Sequence, residues 1–90
     1  RVPLDSILYV ENAGDYVCIQ TTYAKHIIYG TIRGIDERLP KSKFLKVHRS
    51  YIVNLEKIKD IEETNLVIDR KVIPISRAHK NSLLSQLNLL

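Results

Sequence analysis

The chain is poor in the residues that most readily announce a function. Its 90 residues include one cysteine, Cys18, and no methionine or tryptophan. A single thiol cannot close an internal disulfide, so a small disulfide-stapled scaffold is excluded. His26, His48 and His79 stand far apart, and none falls at a Cys-x2-Cys or His-x3-His spacing, so no metal ligand set is expected. Glycine and proline number three each, and no glycine-rich loop is present to cradle a phosphate. The longest apolar runs are four residues, as in Ile7-Leu8-Tyr9-Val10, far below the ~20 of a membrane-spanning helix. No membrane partner is therefore expected. Neighbouring carboxylates such as Asp36-Glu37 and Glu62-Glu63 do not face each other on a helix or strand, so they read as solvated rather than as an acid–base pair. Cys18 falls within a strand-like stretch and reads as a packed thiol rather than a nucleophile. With no catalytic constellation, cofactor or metal site in view, the chain does not read as an enzyme.

What is present is an ordinary folded composition. Hydrophobic residues make up 44% and charged residues 27%, too apolar for intrinsic disorder. The length allows one domain, residues 1–90. The opening Arg1-Val2-Pro3-Leu4-Asp5 has no apolar stretch and no initiator methionine. It is therefore expected to be no secretion leader but the start of a segment excised from a longer, cytoplasmic protein. The net charge is +4, and it is unevenly spread. Lys41, Lys43, Lys46 and Arg49 lie within ten residues that contain no acid. Arg70, Lys71, Arg77 and Lys80 follow an acidic stretch that holds Glu56, Asp60, Glu62 and Glu63. Clustered cations suit a polyanion, because they displace counterions from phosphates. They also serve solubility.

Periodicity predicts mostly strands. Leu8–Glu11 reads as a strand stopped by Asn12-Ala13-Gly14-Asp15. Tyr16–Thr21, with Val17, Ile19 and Thr21 on one face, and Lys25–Tyr29 form a hairpin around Thr22-Tyr23-Ala24. The period then changes. Ile32, Ile35 and Leu39 mark one helix face, with Thr31 as N-cap and Pro40 as stop. Gly34 costs that helix up to ~1 kcal/mol against alanine, so a short, packing-dependent helix is expected. Phe44–Val47 and Ser50–Val53 read as extended, and Asn54–Lys57 as a turn. Ile58–Glu62 with Leu66–Ile68 make a second hairpin, and Lys71–Ile73 returns after an Asp69-Arg70 turn. Ser76 caps a final helix from Arg77 to about Leu87, with Leu83, Leu84, Leu87 and Leu90 as its apolar stripe. The expected fold is mainly β, in small antiparallel sheets, with a short central helix and a C-terminal helix.

Two places concentrate chemistry. In Lys46-Val47-His48-Arg49-Ser50-Tyr51, strict alternation sends Lys46, His48 and Ser50 one way and Val47, Arg49 and Tyr51 the other. A bend at Arg49 would break that pattern and project the guanidinium, whose fork suits guanine edges or phosphates. A surface pairing of Arg49 with Glu56 or another acid is the plainer alternative. The second place is the start of the last helix, where Arg77, His79 and Lys80 crowd an end whose dipole disfavours cations and whose free N–H groups attract anions. Here the alternative is that Arg77 and Lys80 lie along the leucine stripe.

Phe44-Leu45-Lys46-Val47-His48-Arg49-Ser50-Tyr51-Ile52-Val53-Asn54 resembles the signature of LytTR DNA-binding domains, output modules of bacterial response regulators in two-component systems. Ile73-Pro74-Ile75-Ser76-Arg77, Ile7–Asn12 with Gly14–Val17, and Gly30-Thr31-Ile32 leading to Leu39-Pro40 are similar to its other segments in order and spacing. The resemblance runs from about Val2 to Leu87. It implies about ten short strands, and double-stranded DNA bound by loops that enter successive major grooves for transcription regulation. By position, Arg49 and Arg77 are the implied base readers. Lys46, Ser50 and Lys80 are implied backbone contacts, and Tyr16 or Asn12 lines a third contact. His48 is assigned to holding the loop that presents Arg49. The family's first strand is expected to be missing before Val2, and an N-terminal receiver domain is expected in the parent protein. Two copies on half-sites about one turn (~10 bp) apart are also expected. A basic β-rich protein-interaction module and an RNA-binding module remain as alternatives. The five tyrosines and one phenylalanine do not interleave with the basic residues as an RNA stacking platform would.

Overall fold

Strands rich in valine, isoleucine and tyrosine must bury one face each, and here they do so against two neighbours. A computed structural model describes residues 2–88. In chain order it forms β1 (Ile7–Ala13), β2 (Tyr16–Thr21), β3 (Lys25–Tyr29), α1 (Ile32–Arg38), β4 (Phe44–His48), β5 (Tyr51–Asn54), β6 (Ile58–Ile61), β7 (Asn65–Ile68), β8 (Lys71–Pro74) and α2 (Arg77–Asn88). The mainly β, antiparallel expectation holds, with eight strands among the described residues where the resemblance implied about ten. A five-stranded sheet has the order β3-β2-β1-β5-β4, and a three-stranded sheet the order β6-β7-β8.

Apart from its edge strand β3, the larger sheet is covered on both faces. On one, Ile7, Val10, Val17, Phe44 and Ile52 pack with Ile32 of α1. On the other, Tyr9, Val47 and Val53 meet Leu66, Ile68 and Ile73 of the smaller sheet and Leu83 of α2. A bulge at Leu8, between the Ile7↔Thr21 and Tyr9↔Gln20 pairs, lets β1 serve both cores. Ile7 and Val10 go to one, Leu8 and Tyr9 to the other. A bulge shifts the alternation by one residue.

Several local expectations need correction. β1 does not stop at Asn12 but runs to Ala13, and Gly14 then turns the chain at φ 67. A two-residue hairpin needs a residue with positive φ, which glycine adopts without cost. Asn54 is not a turn residue. It ends β5 fully buried, donates from Nδ2 to Ile7 O (2.8 Å) and accepts from Glu56 N–H (3.0 Å), so it caps the short 3-10 turn Leu55–Lys57. Leu84 leaves the stripe and is exposed, while Leu83 is buried and Leu87 packs beside it. Leu90 lies outside the described residues. Thr31 caps α1 as expected, its Oγ1 accepting from Gly34 N–H at 3.0 Å. Cys18 is buried.

Candidate nucleic-acid interface

The Arg49 turn is built by a second bulge. β4 and β5 pair Lys46 with Ile52, but the next pair is His48 with Tyr51. One extra residue on β4 breaks the strict alternation expected for Lys46–Tyr51 and leaves only Arg49 and Ser50 to make the turn. Arg49 is exposed at its apex, while Val47, two residues earlier, is fully buried. The turn is tied from inside. His48 Nδ1 accepts from Ser50 N–H (3.1 Å), and the His48 ring meets Tyr51 edge-on at 5.9 Å. His48 therefore holds the loop, as the sequence suggested.

Tyr51 is held in turn. Its hydroxyl donates to Glu11 Oε2 on β1 (2.8 Å). Lys71, from the other sheet, lies 3.6 Å from Glu11 Oε1 and 5.8 Å from the Tyr51 ring centre. Burial, reinforced by the adjacent Glu11 carboxylate, pushes the Tyr51 phenol up to about 12. Burial also raises the Tyr9 phenol beside it. Sequence reasoning missed Glu11 and Lys71. Their one signal is the β1–β5 register, Glu11↔Tyr51, which no local pattern reveals.

Two backbone bonds line the other candidates up beside this turn. Asn12 N–H donates to Ser50 O (2.9 Å), which places the end of β1 and the Gly14–Asp15 turn on one side. Tyr16, half exposed at the start of β2, continues that side and stacks edge-on with Tyr29 at 5.6 Å. Ser76 N–H donates to Val47 O (2.9 Å), which places the start of α2, with exposed Arg77, on the other side. The order across this end of the molecule is therefore Tyr16, Asn12, Arg49–Ser50, Arg77. Lys46 is half-buried on β4.

The charges differ in what they face. Among the described residues the ion pairs are Arg33–Glu37, Lys41–Asp36, Lys43–Asp5 and Lys71–Glu11. Lys46, Arg49, Arg77 and Lys80 are in none of them, so the expected alternative of Arg49 paired to Glu56 is not formed. Lys80 is engaged differently: its ammonium donates to the carbonyls of Glu62 (3.1 Å) and Glu63, fastening α2 to the β6–β7 turn. The Ser76 hydroxyl meets His79 Nδ1, and the Ser76 carbonyl accepts from His79 N–H (3.0 Å). A cleft of about 610 Å³ opens between these two features, with Ser76, Arg77 and Lys80 along its wall. No group of three metal-ligating side chains occurs among the described residues, nor does a helix long and apolar enough to cross a membrane.

These features define a small β-built module that presents cations without a carboxylate partner at a hairpin turn (Arg49) and at the start of a helix (Arg77). The model of the LytTr DNA-binding domain matches residues 1–88, and the chain belongs to that family. It is 32% identical over 94 residues to the sensory transduction protein LytT of Bacillus subtilis (strain 168), covering 98% of this chain and 39% of that protein. It is 32% identical over 84 residues to the heme-containing CO-sensing transcriptional regulator RcoM 2 of Paraburkholderia xenovorans (strain LB400), covering 86% and 32%. It is 33% identical over 60 residues to the transcriptional regulatory protein YpdB of Escherichia coli (strain K12), covering 67% and 25%. The chain thus spans about two fifths or less of these relatives. Among solved structures it is similar to the LytTr DNA-binding domain of a putative methyl-accepting/DNA response regulator from Bacillus cereus. That match has a TM-score of 0.84 at 25% identity, and covers 96% of this chain and 84% of the other.

Proposed function

We propose that this chain binds double-stranded DNA sequence-specifically, as the DNA-binding part of a cytoplasmic bacterial transcription regulator, and catalyses nothing. The observation that carries this reading is the Arg49 turn: an exposed guanidinium without a carboxylate partner, on a two-residue turn braced by His48 and Tyr51. Preorganised donors lose little freedom on binding. Arg49 and Arg77 read bases, while Lys46, Ser50 and Lys80 hold phosphates. Asn12 and Tyr16 make the third contact.

The order of these groups bears on the grooves they reach. Strands lie ~4.8 Å apart, and successive major grooves on one face lie ~34 Å apart. Asn12 with Tyr16 and Arg77 are the outer members of the line, about four strand spacings (~20 Å) apart, so their side chains and loops reach outward from it to enter successive major grooves. Arg49 stands between them, and its guanidinium fork suits a guanine edge in the major groove. In the parent protein this segment follows a receiver domain, and two copies occupy repeated half-sites.

The test is selection from a random duplex pool at about 150 mM salt, where nonspecific phosphate binding is weakened. A short enriched motif, repeated about one helical turn (~10 bp) apart, supports the reading. A retained pool identical to the input overturns sequence-specific recognition and leaves a basic surface for acidic proteins. Tighter binding to single-stranded RNA than to duplex DNA of equal length would assign the surface to RNA.

A further inference from the structure

Among the described residues β3 is the least protected sheet edge, and its sequence complements itself. Exposed edges are normally blunted by bulges, prolines, charges or covering segments. The other three edges among the described residues follow this rule. β4 carries the bulge before His48 and is covered at Val47 O by Ser76 N–H. β6 carries a bulge and the exposed charges Lys59 and Asp60. β8 ends in Pro74. β3 pairs with β2 in unbroken register, has no proline, and has one formal charge, Lys25, at its start. All five of its residues are exposed, with Ile27 at 63% and Tyr29 at 80%.

The hydrogen-bond register shows which backbone groups are free. Ala24 O accepts from Thr21 N–H (2.8 Å), and Gly30 N–H donates to Asp15 O (3.3 Å). In an antiparallel ladder the bonded pairs alternate. His26 and Ile28 therefore turn their N–H and C=O groups towards β2, while Lys25, Ile27 and Tyr29 turn theirs outward. The same three side chains share one face of the sheet.

We propose that β3 pairs antiparallel with β3 of a second copy of this chain, about a two-fold axis through Ile27. Ile27 then lies opposite Ile27 of the second copy, and Lys25 opposite its Tyr29. Every outward N–H and C=O of the three residues finds a partner. The ammonium of Lys25 comes to the ring of Tyr29, an attraction that each copy supplies once. The cation at one end of the strand and the aromatic at the other match only when the mate runs the opposite way. This self-complementarity makes a second copy the fitting occupant. The contact is small. Five residues a side compare with about 20–30 in a stable interface, so the dissociation constant is expected on the order of 0.1–1 mM.

Antiparallel pairing also sets the two Arg49 turns at opposite ends of the joined sheet. On the DNA-binding reading above, paired copies cannot both sit on neighbouring half-sites of one duplex, so self-pairing and tandem occupancy exclude each other. The pairing itself does not depend on that reading and is tested without DNA.

The experiment is sedimentation equilibrium of the 90-residue chain from about 10 µM to 1 mM, which brackets that constant, with amide exchange measured at both ends of the range. Dimer formation at the upper end is expected, with exchange slowed at Lys25, Ile27 and Tyr29 but unchanged at His26 and Ile28. Ile27→Lys sets two ammonium groups face to face and should abolish the dimer. Lys25→Glu should weaken it more than about threefold, through loss of the cation–ring contact. Val72→Lys, the same kind of change on the outer face of β8, should leave it intact. A monomer throughout, a dimer indifferent to Ile27→Lys, or one lost equally in Val72→Lys overturns the proposal.

Discussion

At the scale of single residues, the interface is governed by what each side chain is already bonded to. Arg49 and Arg77 have no carboxylate partner among the described residues, so a base edge has no ion pair to displace. Arg49→Ala and Arg77→Ala should each cost roughly 1–3 kcal/mol on the selected site and relax discrimination. Competition titrations against single-base variants of that site measure both effects. Equal binding by Arg49→Ala and wild type would remove the base-reading role from Arg49. Tyr51 makes a different prediction. Its phenol is held protonated, by burial first and by the Glu11 bond second, up to about 12, against an ordinary 10. A raised folded-state value means that this stabilisation is complete below pH 10 and is lost as the pH rises from there through about 12. Tyrosinate absorbance should therefore show a late phase near pH 12. Tyr51→Phe should remove that phase and lessen the fall in stability across the same alkaline range.

At the scale of elements, bulges and caps decide which residues reach which surface. In the sequence Asn54 is a polar residue between two apolar runs, a pattern that suggests a turn. The fold instead buries it at the end of β5, with both ends of its amide satisfied, to Ile7 O and to Glu56 N–H. Asn54→Ala strands a buried carbonyl and uncaps the 3-10 turn, at an expected cost of about 1–3 kcal/mol. Urea unfolding would show it as a lower midpoint at unchanged slope. A shift within error of zero would mean that solvent reaches Ile7 O. The helices are more legible in the sequence. α1 starts and ends where Thr31 and Pro40 said it would, because capping and the 3.6-residue period are local properties. The β4 bulge was not readable. It arises because Val47 must fill the core beneath the smaller sheet while His48 still reaches Tyr51.

At the scale of the whole molecule, size limits the DNA it can cover. The longest extent is 32 Å, close to the ~34 Å of one helical turn. One copy should protect about one turn (~10 bp) in a hydroxyl-radical footprint, and protection well beyond two turns by a single copy would contradict the proposed orientation. The salt dependence separates two roles for Lys80, whose ammonium here holds the β6–β7 turn. If it also contacts phosphate, Lys80→Ala should lower the slope of log K against log salt by about one. Weaker binding at an unchanged slope would leave Lys80 as a brace for α2 alone.

The sequence by itself determined the β-dominated class, the extent of both helices, the packed place of Cys18 and the family likeness. Each of these rests on spacing within a few residues or on one continuous motif, and such signals survive in a linear chain. Only the tertiary structure decided which residues stand together. The pairing of β1 with β5 joins Glu11 to Tyr51 across 40 residues, and the docking of the smaller sheet brings Lys71 to them. The same docking sets Ser76 against Val47 and so brings Arg77 beside Arg49. Strand order and register are set by the summed burial of two cores and by ladder bonds between distant segments, and neither leaves a local trace in the chain.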